Sequence, residues 1–274
     1  MLKKLIMAVL LLAIGLGIFI FFKKPTETIA IGTYDAVPTI EANLQMMTID
    51  MSSSPDDKIH VLVEGKKGVE DQFFIDHDET KLLVKEKNEK QWNDFITIGS
   101  PPKIIMQIPK ALENSVSISN RDGDSYMKDL DVKTIQVKSS TGRVILRDIN
   151  ALQSELQSTD GNVTVHNGVL EESSISTTSG NINIRESKGV TLAAQSVDGQ
   201  IKMTEATEQS NVRLNSKTGD IQVTYKVAPS SLKVSTRGEI IKVELPSFNQ
   251  KTGLIGEGAN MLSIETKDGM IQVR

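Results

Sequence analysis

Four sets of side chains in this chain have the types and spacing to do chemistry. Asp122, Asp124, Asp129 and Asp131 crowd one short stretch and could offer oxygens to Ca2+. The glycine and glutamate positions of an EF-hand loop are missing there, so they read as solvated turn acids. His60, His77 and His166 are far apart and have neither cysteine partners nor paired ligand spacing, so no zinc site is expected. Ser100-Pro-Pro-Lys103 and Ser230-Ser-Leu-Lys233 match a Ser-x-x-Lys pattern. Neither sits in a helical pattern, no Gly-x-Ser-x-Gly elbow occurs, and both are read as coincidence. Asp160, Asp198, Asp220 and Arg143 would matter if folding gathered them into one cleft, where carboxylates and a cation could cleave a polysaccharide. These residues assign no catalytic, cofactor-binding or metal site, and no cofactor is expected.

The element that must position these side chains is a repeat. Seven times the chain writes Ser/Thr-x-x-Gly-x-Ile/Val, with glycines at Gly142, Gly161, Gly180, Gly199, Gly219, Gly238 and Gly269, and a degenerate eighth stands at Gly123. Successive glycines from Gly123 lie 19, 19, 19, 19, 20, 19 and 31 residues apart. A fixed period near 20 with alternation of period two inside it predicts stacked β coils. Each glycine is expected to be the corner of its coil, taking φ > 0 where a Cβ would clash, with the nearby hydroxyl or carboxylate bonding backbone N–H groups. A lone coil buries too few aliphatic side chains to offset the ordering of its backbone, so the coils must stack.

Read vertically, the blocks give columns. Two residues after the glycines stand Val144, Val163, Ile182, Ile201, Ile221, Ile240 and Ile271; four after stand Leu146, Val165, Ile184, Met203, Val223 and Val273. These are the expected core ladders. Lys242 breaks the second, and Leu232 and Val234 are displaced by one residue relative to Val212 and Leu214, which predicts a bulge or register change in that coil. Directly after the glycines runs a polar column of Arg143, Asn162, Asn181, Gln200, Asp220 and Glu239, ending in Met270. Such a row could present hydrogen-bonding groups to a glycan or peptide, but outward strand positions are polar by alternation alone, and that plainer account is preferred. Aromatic content of 4% argues against a sugar-stacking platform.

The other end of the chain reads differently. Leu5 to Phe22 is an uncharged, proline-free run bracketed by Lys3-Lys4 and Lys23-Lys24; as a helix it would span about 27 Å, close to one hydrocarbon core. It ends in Phe19-Ile20-Phe21-Phe22 rather than in a small-residue cleavage site, so a retained anchor is expected over a secretory signal. The short N-terminus and large remainder favour the N-terminus inside and the domain outside. Removing the anchor's four lysines from the 31 basic residues leaves 27 against 35 acidic, a net charge of −8. That balance argues against nucleic acid as a partner. The absence of cysteine excludes disulfides, thiolate metal sites and a lipidated cysteine. Residues 25–34 read as a linker. Residues 35–110 read as non-repetitive β structure capping the first coil, with Trp92 and Phe95 in its core.

Several of these segments together carry a family resemblance. Ile104-Ile105-Met106-Gln107-Ile108-Pro109, the Val116-to-Gly123 stretch, the 19-residue glycine blocks and the closing Gly256-to-Arg274 segment resemble the bacterial putative-adhesin β-repeat family. The anchored layout resembles LiaG-type proteins of Gram-positive cell-envelope stress operons. The resemblance covers roughly residues 35–274 and implies an envelope role with no established chemistry, so it transfers no catalytic residues. The expected molecule is all-β: one transmembrane helix (1–24), the linker, the β-rich cap and a parallel β-solenoid of about 19-residue coils over 111–274. Its expected function is non-enzymatic binding or scaffolding in the envelope, which the resemblance links to a stress response, with the membrane and an unknown envelope protein or glycan as partners. The alternative is a polysaccharide lyase or hydrolase on a β-helix scaffold.

Overall fold

The computed structural model describes residues 26–87, 101–110 and 115–274. The expected anchor, Trp92, Phe95 and Ser100 lie outside these residues. Among the described residues no helix is long and apolar enough to cross a membrane.

Alternation of period two sets most of the strands. In the N-terminal part the strands are β1 (Glu27–Asp35), β2 (Thr39–Leu44), β3 (Thr48–Ser53), β4 (Lys58–Gly65), β5 (Phe73–His77), β6 (Lys81–Glu86) and β7 (Lys103–Ile108). In β4, Ile59, Val61 and Val63 point inward and are fully buried while their neighbours are half-exposed, the pattern of a strand with one core face. The stretch expected as a linker is largely β1, paired antiparallel with β4 from Glu27↔Gly65 to Asp35↔Lys58.

The repeats supply β8 (Ser115–Asn120), β9 (Ser125–Ser139), β10 (Val144–Ser158), β11 (Val163–His166), β12 (Val169–Ser176), β13 (Ile182–Arg185), β14 (Thr191–Ser196), β15 (Ile201–Ala206), β16 (Asn211–Ser216) and β17 (Ile221–Tyr225). Each coil gives a short strand after its glycine and a second strand before the next one. Both sets stack in parallel ladders: Val144↔Val163↔Ile182↔Ile201↔Ile221 on one side, Leu156↔Ile175↔Ala194↔Leu214 on the other. β9 and β10 run through both ladders, and their mutual pairing is interrupted at Asp129 and Asp148, where the chain turns. The core is the continuous aliphatic filling between these ladders.

The stack begins earlier than the glycine blocks do. β2 and β3 pair in parallel with β8 and β9 on one side and with β6 and β7 on the other, so residues 39–53 form a solenoid coil rather than part of an irregular cap. Beyond it the parallel order gives way to antiparallel pairs, β4 on β7, β1 on β4, and β5 on β6. These end the stack.

At the C-terminal end, β18 (Leu232–Arg237), β19 (Ile240–Val243), β20 (Leu254–Ile255), β21 (Asn260–Thr266) and β22 (Met270–Val273) complete the fold out of chain order. β21 and β22 pair with β16 and β17 on one side and with β18 and β19 on the other. The last coil in sequence is thus the penultimate coil in space. The expected register change explains why. In interior coils the inward aliphatic precedes the glycine by five residues and the next follows by two, as in Leu214, Gly219, Ile221 and in Ile264, Gly269, Ile271. In the 232–243 coil Ile241, not Ile240, aligns with Ile271, and Val234 aligns with Leu262. Glu239 therefore stands in the glycine frame, and Ile240 leaves the inward column to lie exposed.

Candidate functional site

Ordered polar groups line the glycine corner, and its geometry differs from the φ > 0 expectation. Positive φ occurs at Gly68, Gly253, Gly256 and Gly258, not at any repeat glycine. What demands glycine is proximity. A Cβ on Gly142, Gly161, Gly180, Gly199 or Gly219 would lie 2.0–2.1 Å from the carbonyl oxygen of the preceding coil's glycine, and on Gly269 2.3 Å from that of Gly219. Gly123 makes the same approach to the carbonyl of Met47, at 2.1 Å, and Met47 occupies the glycine frame of the 39–53 coil. Gly238, displaced in its frame, meets nothing closer than 3.1 Å.

The left-handed residues lie six positions further on. Asp129, Asp148, Asn167, Glu186 and Glu205 have φ of 50–56° and mark a second bend in five successive coils, whereas Ser247, with φ of 60°, lies outside this series. Asp and Asn tolerate this region best among residues with a Cβ. The recurrence is present in the sequence, but two glutamates disguise it.

Hydroxyls and amides finish the corner. Three residues before the glycine, Ser139 and Thr177 donate to the glycine carbonyl of their own coil at 2.8 and 2.7 Å, while Ser196 and Ser216 accept the glycine N–H at 2.9 and 3.0 Å. One residue after the glycine, side-chain oxygens bridge coils: Asp124 accepts Arg143 N–H, Asn162 accepts Asn181 N–H, Asn181 accepts Gln200 N–H and Asp220 accepts Met270 N–H, all at 2.8 Å. The polar column is therefore a stacking device over most of its length. One residue before the glycine, acids alternate with hydroxyls through Asp122, Thr141, Asp160, Ser179, Asp198 and Thr218. Thr141 and Thr218 donate to the neighbouring Asp122 and Asp198 at 3.1 and 3.2 Å, which keeps like charges from stacking directly on each other.

The sequence candidates disperse. Asp124 is held by Arg143 Nη2 at 2.7 Å and by Tyr126 Oη at 3.0 Å; burial pushes its carboxyl up, but these donors and the Arg143 backbone outweigh it and hold it below the ordinary carboxylate range. Asp129 takes Lys110 at 2.7 Å and Ser53 at 3.0 Å, Asp122 takes Arg121, and Asp131 takes Asn150. The four acids thus serve separate partners. His60 joins Thr33 to Asp56, His77 lies against Tyr34, and His166 faces Glu186. Among the described residues no group of three or more His, Asp or Glu could hold a metal. Ser230 donates to Glu208, not to Lys233. Of the would-be cleft, Arg143 is committed to Asp124, Asp198 to Thr218 and Asp220 to the Met270 backbone, while Asp160 makes no side-chain hydrogen bond or ion pair among the described residues and only its backbone N–H is tied, to Ser140.

Two carboxylates unforeseen from sequence collect backbone N–H groups from turns distant in the chain. Glu86 accepts the N–H groups of Gln45, Met46 and Met47 at 2.6–3.2 Å, and Glu208 accepts those of Ser230 and Ser231 at 2.9 Å. Neither carries a local motif, because its partners are distant in the chain.

The family model described as Toastrack DUF4097 matches residues 37–274. Among solved structures, a "putative lipid binding protein" from Parabacteroides distasonis is similar at 15% identity, covering 92% of this chain and 98% of its own, with a TM-score of 0.57. A "putative adhesin" from Bacteroides fragilis is 16% identical, with 92% and 98% coverage and a TM-score of 0.47. The first of these shows a shared fold. No curated protein shows significant similarity to the chain.

Proposed function

The chain belongs to the Toastrack DUF4097 family, and on that premise we propose that it is a membrane-anchored, extracytoplasmic β-solenoid with a non-enzymatic binding or scaffolding role in the bacterial cell envelope. The observation that carries this reading is the use of the polar columns. Catalysis needs reactive groups that converge on one point and are not spent elsewhere. Here the side-chain oxygens of Asp124, Asn162, Asn181 and Asp220 bridge one coil to the next, and Arg143 is tied to Asp124. What remains is a long, regular, polar surface on a stiff scaffold, which suits recognition. The printed name of the solved structure that shares the fold, a "putative lipid binding protein", supports the same class of role.

The anchor rests on the uncharged Leu5–Phe22 run. If it spans the bilayer, β1 begins at Glu27, within three residues of the last flanking lysine, so the antiparallel end of the stack is held close to the membrane. The resemblance of the anchored layout extends the proposal to the envelope stress response. External protease added to intact protoplasts is expected to digest the domain beyond Lys24 while cytosolic controls survive. Full protection of the domain would overturn the outward-facing reading.

A further inference from the structure

The two edges of the terminal coil are treated differently. The outer edge of β18 is covered at its start by β20, through Leu232↔Ile255 and Lys233↔Leu254, and by the Gly253 carbonyl, which accepts the Val234 N–H at 2.8 Å. β19 pairs with β22 alone among the described residues, so its other edge is open. That open strand is also apolar, with Ile240 61% and Ile241 43% exposed. Ile241 and Val243 continue the inward columns Ile221–Ile271 and Val223–Val273. Ile271 and Val273 are fully buried because a strand lies on either side of them; at β19 the same columns stop, with no further strand beyond them among the described residues.

We propose that β19 is a docking edge for one extended segment of another envelope polypeptide, added as a further strand. This deepens the binding reading above and rests on it. The stack itself specifies the occupant: what covers Ile271 is an aliphatic side chain on the next strand, and the same chemistry would complete Ile241 and Val243. Main-chain hydrogen bonds to the free edge supply affinity, and alternate side chains supply selectivity. A further whole coil, as from a second copy, needs both edges, and β20 holds one of them. Glu239 in the glycine frame also removes the close corner on which coils stack. A straight strand needs neither. Lys242, paired with Glu244 at 2.9 Å, lies on the outer face; a lysine on an edge strand discourages indiscriminate pairing and selects a partner with an acidic side chain opposite it.

The test uses the full chain in detergent micelles and a fluorescent synthetic peptide copying residues 267–274 with Gln272→Glu, which sets an acid opposite Lys242 when its Ile and Val take the register that Ile271 and Val273 hold on Ile241 and Val243. Saturable binding by fluorescence anisotropy is expected, at least about tenfold weaker for a peptide of the same composition with the alternation scrambled, and for Ile241→Glu. Leu152→Glu, at an exposed leucine on the flank, should bind like the unaltered chain. Hydrogen exchange should slow at residues 240–243 when the peptide binds, and this measurement decides alone should Ile241→Glu not fold. Equal binding of both peptides, unchanged binding by a folded Ile241→Glu, or protection confined elsewhere would each overturn the proposal. So would sedimentation showing that the chain dimerises through β19. A failed peptide assay with a protease-accessible domain rejects the docking edge and leaves the binding reading standing; the reverse pattern rejects the outward topology alone.

Discussion

At Gly180 any other residue would place a carbon 2.1 Å from the Gly161 carbonyl oxygen, a separation no backbone tolerates without moving the coils apart. Gly180→Ala is therefore expected to destabilise by about 3 kcal/mol or more, the upper range of overpacking, even though alanine strains no dihedral angle at this φ. Asn181→Ala should cost about 1 kcal/mol, because it removes the acceptor of the Gln200 N–H and leaves a backbone donor to water. Denaturant melts of the full chain check both, and equal stability of Gly180→Ala and the unaltered chain would refute the close corner. The need for glycine was legible from sequence, but its cause was not. A sequence records which residue recurs, whereas the distance between coils that forbids a Cβ exists only after stacking. The same holds for Asn181, whose outward position read as polar by alternation alone, while the reach of its side chain to the next coil's N–H exists only in the stack.

Strands after the corner were legible wherever the frame of five residues before glycine and two after was kept. There the inward column is correct residue by residue. It failed at two elements for the same reason, a displaced or replaced glycine. In the 39–53 coil Met47 stands in the glycine frame, so β2 and β3 carried no block and read as cap. In the 232–243 coil the glycine is early by one, so Ile240 read as inward. Ile182→Ala should then cost roughly 2–5 kcal/mol through lost burial and a cavity, since Ile182 is fully buried. Ile240→Ala should stay within about ±0.5 kcal/mol. The same melts decide; a costly Ile240→Ala would return that residue to the core and remove the register slip.

For the whole molecule, a parallel β stack was legible, and the order of its coils was not. Every coil carries nearly the same block, so chain order is the default when nothing local says which coil meets which. The order is set instead by fit. The 260–273 coil keeps the glycine frame and can be enclosed between two others, while the 232–243 coil lacks it and is placed last, with residues 244–259 leading the chain back inside. This order fixes which strand edge is left open and so underlies the proposed docking edge. Because the chain has no cysteine, introduced pairs report it without background. Gln222 lies beside Gln272, and Gln272 beside Lys242, so Gln222 and Lys242 are two strand spacings apart, about 9–10 Å. A disulfide needs Cα atoms within about 7 Å. Mild oxidation of the folded full chain should therefore close Gln222→Cys/Gln272→Cys and leave Gln222→Cys/Lys242→Cys open, read as a mobility shift without reductant; closure of the second pair and not the first would show sequential stacking and contradict the account.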